Sequence, residues 1–350
     1  MEVPSIFLNR ILANVAKKGA SSLHLSVGSA PVIRLQARLV EIEKESIVTQ
    51  DLLNKIINSF LDKEELELFG QKKEIVVVKK FGGDFRFRVN IFYQKNLPSL
   101  SFSYIPNEIR SLEDLNLSGP VNKIFKYKSG LFIIAGPNDS GKTSTIASII
   151  EKINEEEKKY IITIENPIEY TFVNKKSIIE QRQVGQDVES FAEGLEHCLT
   201  EDVDLVYVDD LRVEYESAIP LILELAAGNS LVIVEMNAEN SVRVIEKILN
   251  ASNKRVSELA ARFSLGDVLV GIISQKLIPN QSQGLSLAVE ILIANSAVKS
   301  LIREGKIYQL ASVIQTSREE GMISMEKSIE ELVKSGEIKM EEVGKLKLYS

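Results

Sequence analysis

The chain has no tryptophan, one cysteine and two histidines in 350 residues. The single cysteine, Cys198, excludes an internal disulfide and fits a reducing compartment, where it reads as a small buried hydrophobe. One cysteine also excludes a multi-cysteine zinc cluster. An excess of positive charge is missing too. Lys and Arg number 42 against 49 Asp and Glu, a formal charge of -7, which argues against a general nucleic-acid footprint, so no nucleic-acid partner is expected. Long apolar runs are absent. The longest candidate, Ala218 to Met236, is broken by Pro220, Glu224, Asn229 and Ser230, so no segment qualifies as a bilayer span. The amino end, Met1 to Asn14, lacks a signal-peptide core. These absences lead to the expectation of a cytoplasmic protein that works at a membrane surface only by docking to a partner.

What is present is ample apolar material, 44% of the residues, in a chain long enough that two domains are expected. Ile6 to Lys18 repeats apolar residues at helical spacing, and Asp51 to Phe60 does the same. Ser22 to Ser26, Pro31 to Leu39, Glu74 to Lys80 and Phe85 to Tyr93 read as strands. Tyr104 to Ser111, with Pro106 and mostly polar neighbours, reads as connection. Strands and helices then alternate from Leu112, the pattern of a parallel sheet wrapped by helices, and the part from Val298 onward is helical and charged. The expected class is α/β: a small α+β domain over 1–104, a linker over 105–117, and a larger domain over 118–350.

Gly136-Pro137-Asn138-Asp139-Ser140-Gly141-Lys142-Thr143 matches G-x-x-x-x-G-K-[ST] and follows the apolar run Leu131 to Ala135. Glycines let the backbone turn until consecutive N–H groups point at phosphates, at the positive end of the helix that follows. These eight residues and Ser144 are the nucleotide-binding candidates, with ATP and Mg²⁺ as the expected ligands. Lys142 would reach the β- and γ-phosphates, and the Thr143 hydroxyl would be a ligand of Mg²⁺. Asp139 does not fit this pattern, because a carboxylate facing phosphate oxygens is a like-charge contact.

Two apolar strands downstream end in carboxylates. Leu205-Val206-Tyr207-Val208 runs into Asp209-Asp210, where one carboxylate would serve the Mg²⁺ shell and its neighbour would orient or deprotonate the attacking water. Tyr160 to Ile164 runs into Glu165-Asn166-Pro167-Ile168-Glu169. Pro167 stops that strand and turns Glu165 and Glu169 toward the carboxyl edge of the sheet, where ligands of open α/β sheets bind.

Several motifs in order then resemble one family, the PilT-type retraction ATPases of type IV pili, within the secretion-ATPase superfamily. Gly19-Ala20-Ser21-Ser22-Leu23-His24-Leu25-Ser26 followed by Pro31-Val32-Ile33-Arg34 is similar to A-S-D-L-H-L-S and P-x-x-R. Phe85 to Asn90 is similar to R-F-R-V-N, Thr163 to Tyr170 to T-I-E-D-P-I-E-Y, and Gln181 to Gly185 to Q-R-E-V-G. Ile273 to Leu277 is similar to I-S-Q-x-L, and Ala297 to Glu304 to A-I-R-N-L-I-R-E. The resemblance implies a homo-hexameric ring in which a PAS-like amino-terminal domain precedes a RecA-like ATPase domain with a helical carboxyl-terminal part. It implies that arginines of the amino-terminal domain approach the phosphates, making Arg86 and Arg88 candidates to act in trans. It also implies an inner-membrane pilus platform protein, and paralogous pilus ATPases, as partners.

The chain departs from that family at the expected chemistry. Asp209-Asp210-Leu211-Arg212-Val213 stands where the family has G-E-M-R-D, so the catalytic carboxylate is Asp210, one methylene shorter. A base withdrawn by roughly an ångström can lose about a hundredfold in rate. Ser230 to Asn237 stands where the family has H-L-V-F-G-T-L-H, placing Ser230 and Asn237 at the two histidines. Asn166 replaces an aspartate. Six changes, at Asp139, Asn166, Asp209, Asp210, Ser230 and Asn237, are therefore expected at one site. Two functions stay open: a slow but working retraction motor using Asp210, Glu169, Glu165 and Lys142, or a catalytically impaired paralogue that binds nucleotide and regulates the ring. The Ala297 to Glu304 motif argues against a secretion or assembly motor.

Overall fold

Two compact units, Met1–Glu108 and Ile109–Ser350, divide the chain. The computed structural model describes residues 3–35, 38–117, 119, 121–122, 127–252, 256–282 and 284–346. The first unit runs α1 (Pro4–Lys17), β1 (Ser22–Ser26), β2 (Val32–Leu35), β3 (Arg38–Glu41), α2 (Gln50–Phe60), α3 (Lys63–Lys72), β4 (Glu74–Phe81), β5 (Phe85–Gln94) and β6 (Leu97–Ile105). The sheet order is β3-β2-β1-β6-β5-β4, with every pair antiparallel.

Local rules account for these elements. Pro4 opens α1, where its missing N–H costs nothing, and Phe7, Leu8, Ile11, Leu12 and Val15 give the helix one buried face. Thr49 caps α2 through the Leu52 N–H, and Asp62 and Glu65 form a reciprocal capping box on α3. In β5 the alternation buries Phe87, Val89 and Ile91, leaving Arg86 and Arg88 on the other face, half-buried. Two sequence expectations change. Pro31 to Leu39 is not one strand but falls across two paired antiparallel strands, β2 and β3. The strand β6 was not anticipated, because Pro98 near its start reads as a strand breaker, yet Leu100, Phe102 and Tyr104 alternate with Ser99, Ser101 and Ser103 and it pairs with both β1 and β5.

The second unit runs β7 (Gly130–Ala135), α4 (Lys142–Glu156), β8 (Tyr160–Glu165), β9 (Ile178–Gln183), α5 (Phe191–Thr200), β10 (Leu205–Val208), α6 (Tyr215–Ala227), β11 (Leu231–Met236), α7 (Ser241–Ser252), α8 (Glu258–Val268), β12 (Leu269–Pro279), β13 (Leu285–Ile293), α9 (Ser296–Glu304), α10 (Leu310–Thr316), α11 (Met325–Lys334) and α12 (Met340–Leu346). Its sheet has the order β13-β12-β7-β11-β10-β8-β9 and is parallel except for the edge pair β12–β13. The inner strands β7, β10 and β11 are buried along their whole length, as expected of parallel strands covered on both faces. One face packs Phe132, Ile134, Tyr207 and Ile233 against Ile146, Ile149, Ile150 and Ile153 of α4. The other packs Ile133, Val206, Val208 and Val232 against residues of α5 to α8. Leu112 and Leu117, expected within the linker, are buried in the α4-side core, with Leu115 packed against it; three leucines in so short a polar stretch gave too few repeats for a periodic signal. The α/β class, the small α+β unit and the helical carboxyl-terminal part are as the sequence implied.

Candidate functional site

The phosphate-loop residues connect the buried strand β7 to the N-terminus of α4. Three backbone features make the turn. Gly136 has φ +156°, and a Cβ there would run into Ser140 Oγ and sit 2.6 Å from the Gln275 carbonyl oxygen. Gly141 has φ +86°, a conformation that glycine adopts without the strain a Cβ brings. Asp139 also takes the left-handed region, with φ +60°, and its side chain is exposed. Aspartate tolerates that conformation better than most residues. Two buried polar atoms at the loop, Ser140 Oγ and Gln275 Oε1, have no hydrogen-bond partner. This cradle, opening on a helix N-terminus, fits a phosphate chain.

The carboxylates facing the loop are placed by strand parity. Successive side chains alternate between sheet faces. Tyr207 of β10 is in register with Thr163 of β8 and with Ile233 of β11. Two residues further along each strand come Asp209, Glu165 and Glu235, on the α4 side at the carboxyl edge. All three were within reach of a parity argument, yet Glu235 was not recognised from sequence. The signal was available, because Glu235 falls on the threonine of the H-L-V-F-G-T-L-H motif.

Glu235 makes the closest contacts to the loop. Only 6% of it is exposed, as is true of Lys142. Its Oε2 accepts a hydrogen bond from Thr143 Oγ1 at 3.0 Å, and its Oε1 lies 3.6 Å from Lys142 Nζ. Lys142 Nζ also donates to the Pro137 carbonyl at 2.9 Å. Burial, and next the Asp209 charge, push the Glu235 carboxyl above the ordinary glutamate value, and Lys142 opposes them.

The other carboxylates are held by the protein. Asp209 accepts backbone N–H bonds from Asn166 at 3.0 Å and Asp210 at 2.8 Å. Glu165 is 3% exposed, accepts from Thr163 Oγ1 at 2.6 Å and Gln181 Nε2 at 3.1 Å, and is pushed by burial up to about 8. Such a group holds its proton near neutrality and serves as a hydrogen-bonded support. Glu169 is half-buried and near enough to raise Glu165 and Glu235 further. Asp210 Oδ1 accepts from Tyr215 OH at 3.0 Å and from the Arg212 N–H at 3.3 Å. Ser144 Oγ and Tyr170 OH are 2.9 Å apart.

One of the six substitutions does not belong here. Ser230 precedes β11 at the amino edge of the sheet, where its Oγ donates to the Val203 carbonyl at 2.7 Å and its carbonyl accepts from Gly130 N–H. The strand carries residues 231 and 236 to opposite edges, roughly 3.3 Å per residue, so only its far end reaches the loop. There Asn237 Nδ2 donates to Asn138 Oδ1 at 3.0 Å. Arg86 and Arg88 lie in the first unit, on the face of β5 away from its core. His197 is exposed on α5, 3.4 Å from Arg182. For Mg²⁺, the hard oxygen donors Thr143, Asp209 and Glu235 are chemically suitable. Among the described residues no group of three or more His, Cys, Asp or Glu could hold an ion by itself. A cation here would take its remaining ligands from phosphate and water, the usual habit of Mg²⁺.

Residues 3–345 match the family model described as type II/IV secretion system protein. A twitching motility protein of Neisseria gonorrhoeae is 33% identical over 307 residues, 87% of this chain and 81% of the relative. The type IV pilus retractation ATPase PilT of Pseudomonas aeruginosa is 31% identical over 334 residues, 95% of this chain and 96% of the relative. A crystal structure of the pilus retraction motor PilT with bound ADP superposes with a TM-score of 0.79 at 32% identity, covering 96% of this chain and 95% of that one.

Proposed function

The chain belongs to the type II/IV secretion system protein family, and from that membership we propose that it is a PilT-like motor ATPase that couples ATP binding and slow hydrolysis to type IV pilus retraction. The observation that carries this reading is the phosphate loop itself. Gly136, Gly141, Lys142 and Thr143 stand at the N-terminus of α4, beside a row of carboxylates at the carboxyl edge of the sheet. The ADP bound in the related motor structure supports it.

In this reading the loop N–H groups and Lys142 bind the phosphates, and Thr143 with Asp209 holds Mg²⁺, which neutralises phosphate charge when bound. Asp210 orients water, while Glu165, protonated near neutrality, fixes the neighbouring backbone through Thr163 and Gln181. Glu169 assists from the same edge. Arg86 and Arg88 act across a subunit boundary in a homo-hexameric ring docked on an inner-membrane platform protein, with paralogous pilus ATPases as further partners. The ring works at the cytoplasmic face of the membrane. Among the described residues no helix is long and apolar enough to cross one.

A second function, a ring subunit that binds nucleotide without turning it over, is favoured by one specific feature: Asp210 is tied to Tyr215 and to the Arg212 N–H. Phosphate release from ATP with Mg²⁺, measured beside Asp210→Asn and Lys142→Ala, decides between the two. A motor shows measurable turnover that falls about a hundredfold in Asp210→Asn and vanishes in Lys142→Ala. ATP binding without turnover in the parent chain establishes the regulatory subunit instead.

A further inference from the structure

Glu235 is a buried carboxyl group inside a phosphate-binding cradle, and the reaction described above does not use it. Its strand parity aims it at the N-terminus of α4, where the helix dipole and the loop N–H groups attract anions. Both of its oxygens face loop donors: Oε2 takes the Thr143 hydroxyl at 3.0 Å, and Oε1 lies 3.6 Å from the Lys142 ammonium. The Pro137 carbonyl provides Lys142 with a second acceptor, so the cation is satisfied without any phosphate. The family motif has threonine at this place, a side chain that carries no charge.

We propose that Glu235 is a built-in occupant of the phosphate site, holding the Lys142 and Thr143 groups that phosphoryl oxygens would engage, so that nucleotide binds by displacing it. The inference rests on the nucleotide-binding reading above. Displacement has two costs. The hydrogen bond from Thr143 and the ion pair with Lys142 are lost, and the carboxyl group is left between incoming phosphate and the neighbouring carboxylates Asp209 and Glu169.

The test is ATP affinity of the full chain, of Glu235→Thr and of the isosteric Glu235→Gln, each with Mg²⁺ and in EDTA, with thermal melts to confirm folding. Glu235→Thr is expected to bind ATP about tenfold or more tightly than the parent under both conditions, the gain from the Thr143 and Lys142 contacts no longer displaced. Glu235→Gln, which keeps the shape and loses the charge, falls between them and gives the reading should the threonine variant unfold. Unchanged affinity in folded variants overturns the proposal and leaves the nucleotide reading intact. Weaker binding confined to Mg²⁺ also overturns it, making Glu235 a cation ligand. Absence of binding by parent and variants alike overturns both.

Discussion

The phosphate loop and the row of carboxylates facing it meet at one edge of the second sheet but are constrained in different ways. The loop is fixed by its backbone: Gly136 has no space for a side chain, and Gly141 and Asp139 hold positive φ. Its chemistry follows from N–H groups that any sequence of the right shape would present. The facing row is fixed by side-chain parity on three strands, and each carboxylate has a different set of partners. Asp209 is held by two backbone N–H groups, Glu165 by Thr163 and Gln181, and Glu235 by the loop itself, while Asp210, the next residue after Asp209 and outside that parity, is held by Tyr215. The comparison teaches that a binding shape can be kept while the groups that act on the bound ligand diverge, because the two are built by separate parts of the chain.

The largest expected effect tests the backbone half. Gly136→Ala places a methyl group against Ser140 Oγ and 2.6 Å from the Gln275 carbonyl oxygen, which is backbone and cannot turn aside. It should abolish ATP binding and lower stability by about 3 kcal/mol, read by urea denaturation. A loss below about 1 kcal/mol would mean that the loop is not fixed by its backbone.

The next effect tests the carboxylate half through pH. Glu165 keeps its proton up to about 8 in the folded chain against an ordinary value of 4.5. Between those values the folded state binds a proton that the unfolded chain has released, so this contribution is full below 4.5 and is lost as pH rises through 8. The parent should therefore lose stability relative to Glu165→Gln by roughly 1.4 kcal/mol for each pH unit crossed in that window, an upper bound if water reaches the group. Parallel pH profiles for the two proteins would show that Glu165 is ionised and that the row is more solvated than its burial implies.

The smallest effect lies at the boundary of the two halves. Asp139→Gly removes an exposed negative charge from the loop and suits the local φ of +60°. ATP affinity should rise about two- to threefold, with stability unchanged or higher by roughly 0.5 kcal/mol. Weaker binding in a direct titration would show that Asp139 helps to hold the nucleotide or its cation.

The same contrast explains what the sequence made legible. A strand, a glycine-spaced loop and a helix lie consecutively in the chain, so the span from Leu131 to Ile153 was readable from local pattern alone. So were α1, α2 and the long strands β4 and β5, whose periodicity is continuous. The strand β6 escaped because Pro98 near its start reads as a breaker, and Leu112 and Leu117 because a short stretch of leucines among polar residues carries too few repeats to set a period. At the site, Asp209 and Asp210 were visible as carboxylates ending an apolar strand. Glu235 was not singled out although it stands two residues beyond Ile233 in the same strand and at the threonine of the H-L-V-F-G-T-L-H motif, because the motif was read at the two histidine positions that flank it. Ser230 failed in the opposite sense: a motif put it beside Asn237, whereas a strand of extended residues carries the two to opposite edges of the sheet.

The central claim is that this loop binds nucleotide through Lys142, and the most direct measurement is a calorimetric titration of ATP with Mg²⁺ into the full chain beside Lys142→Ala. The account predicts saturable binding by the parent, lost in Lys142→Ala while that variant keeps a cooperative melt. Equal binding by the two folded proteins, or none by the parent, would contradict it.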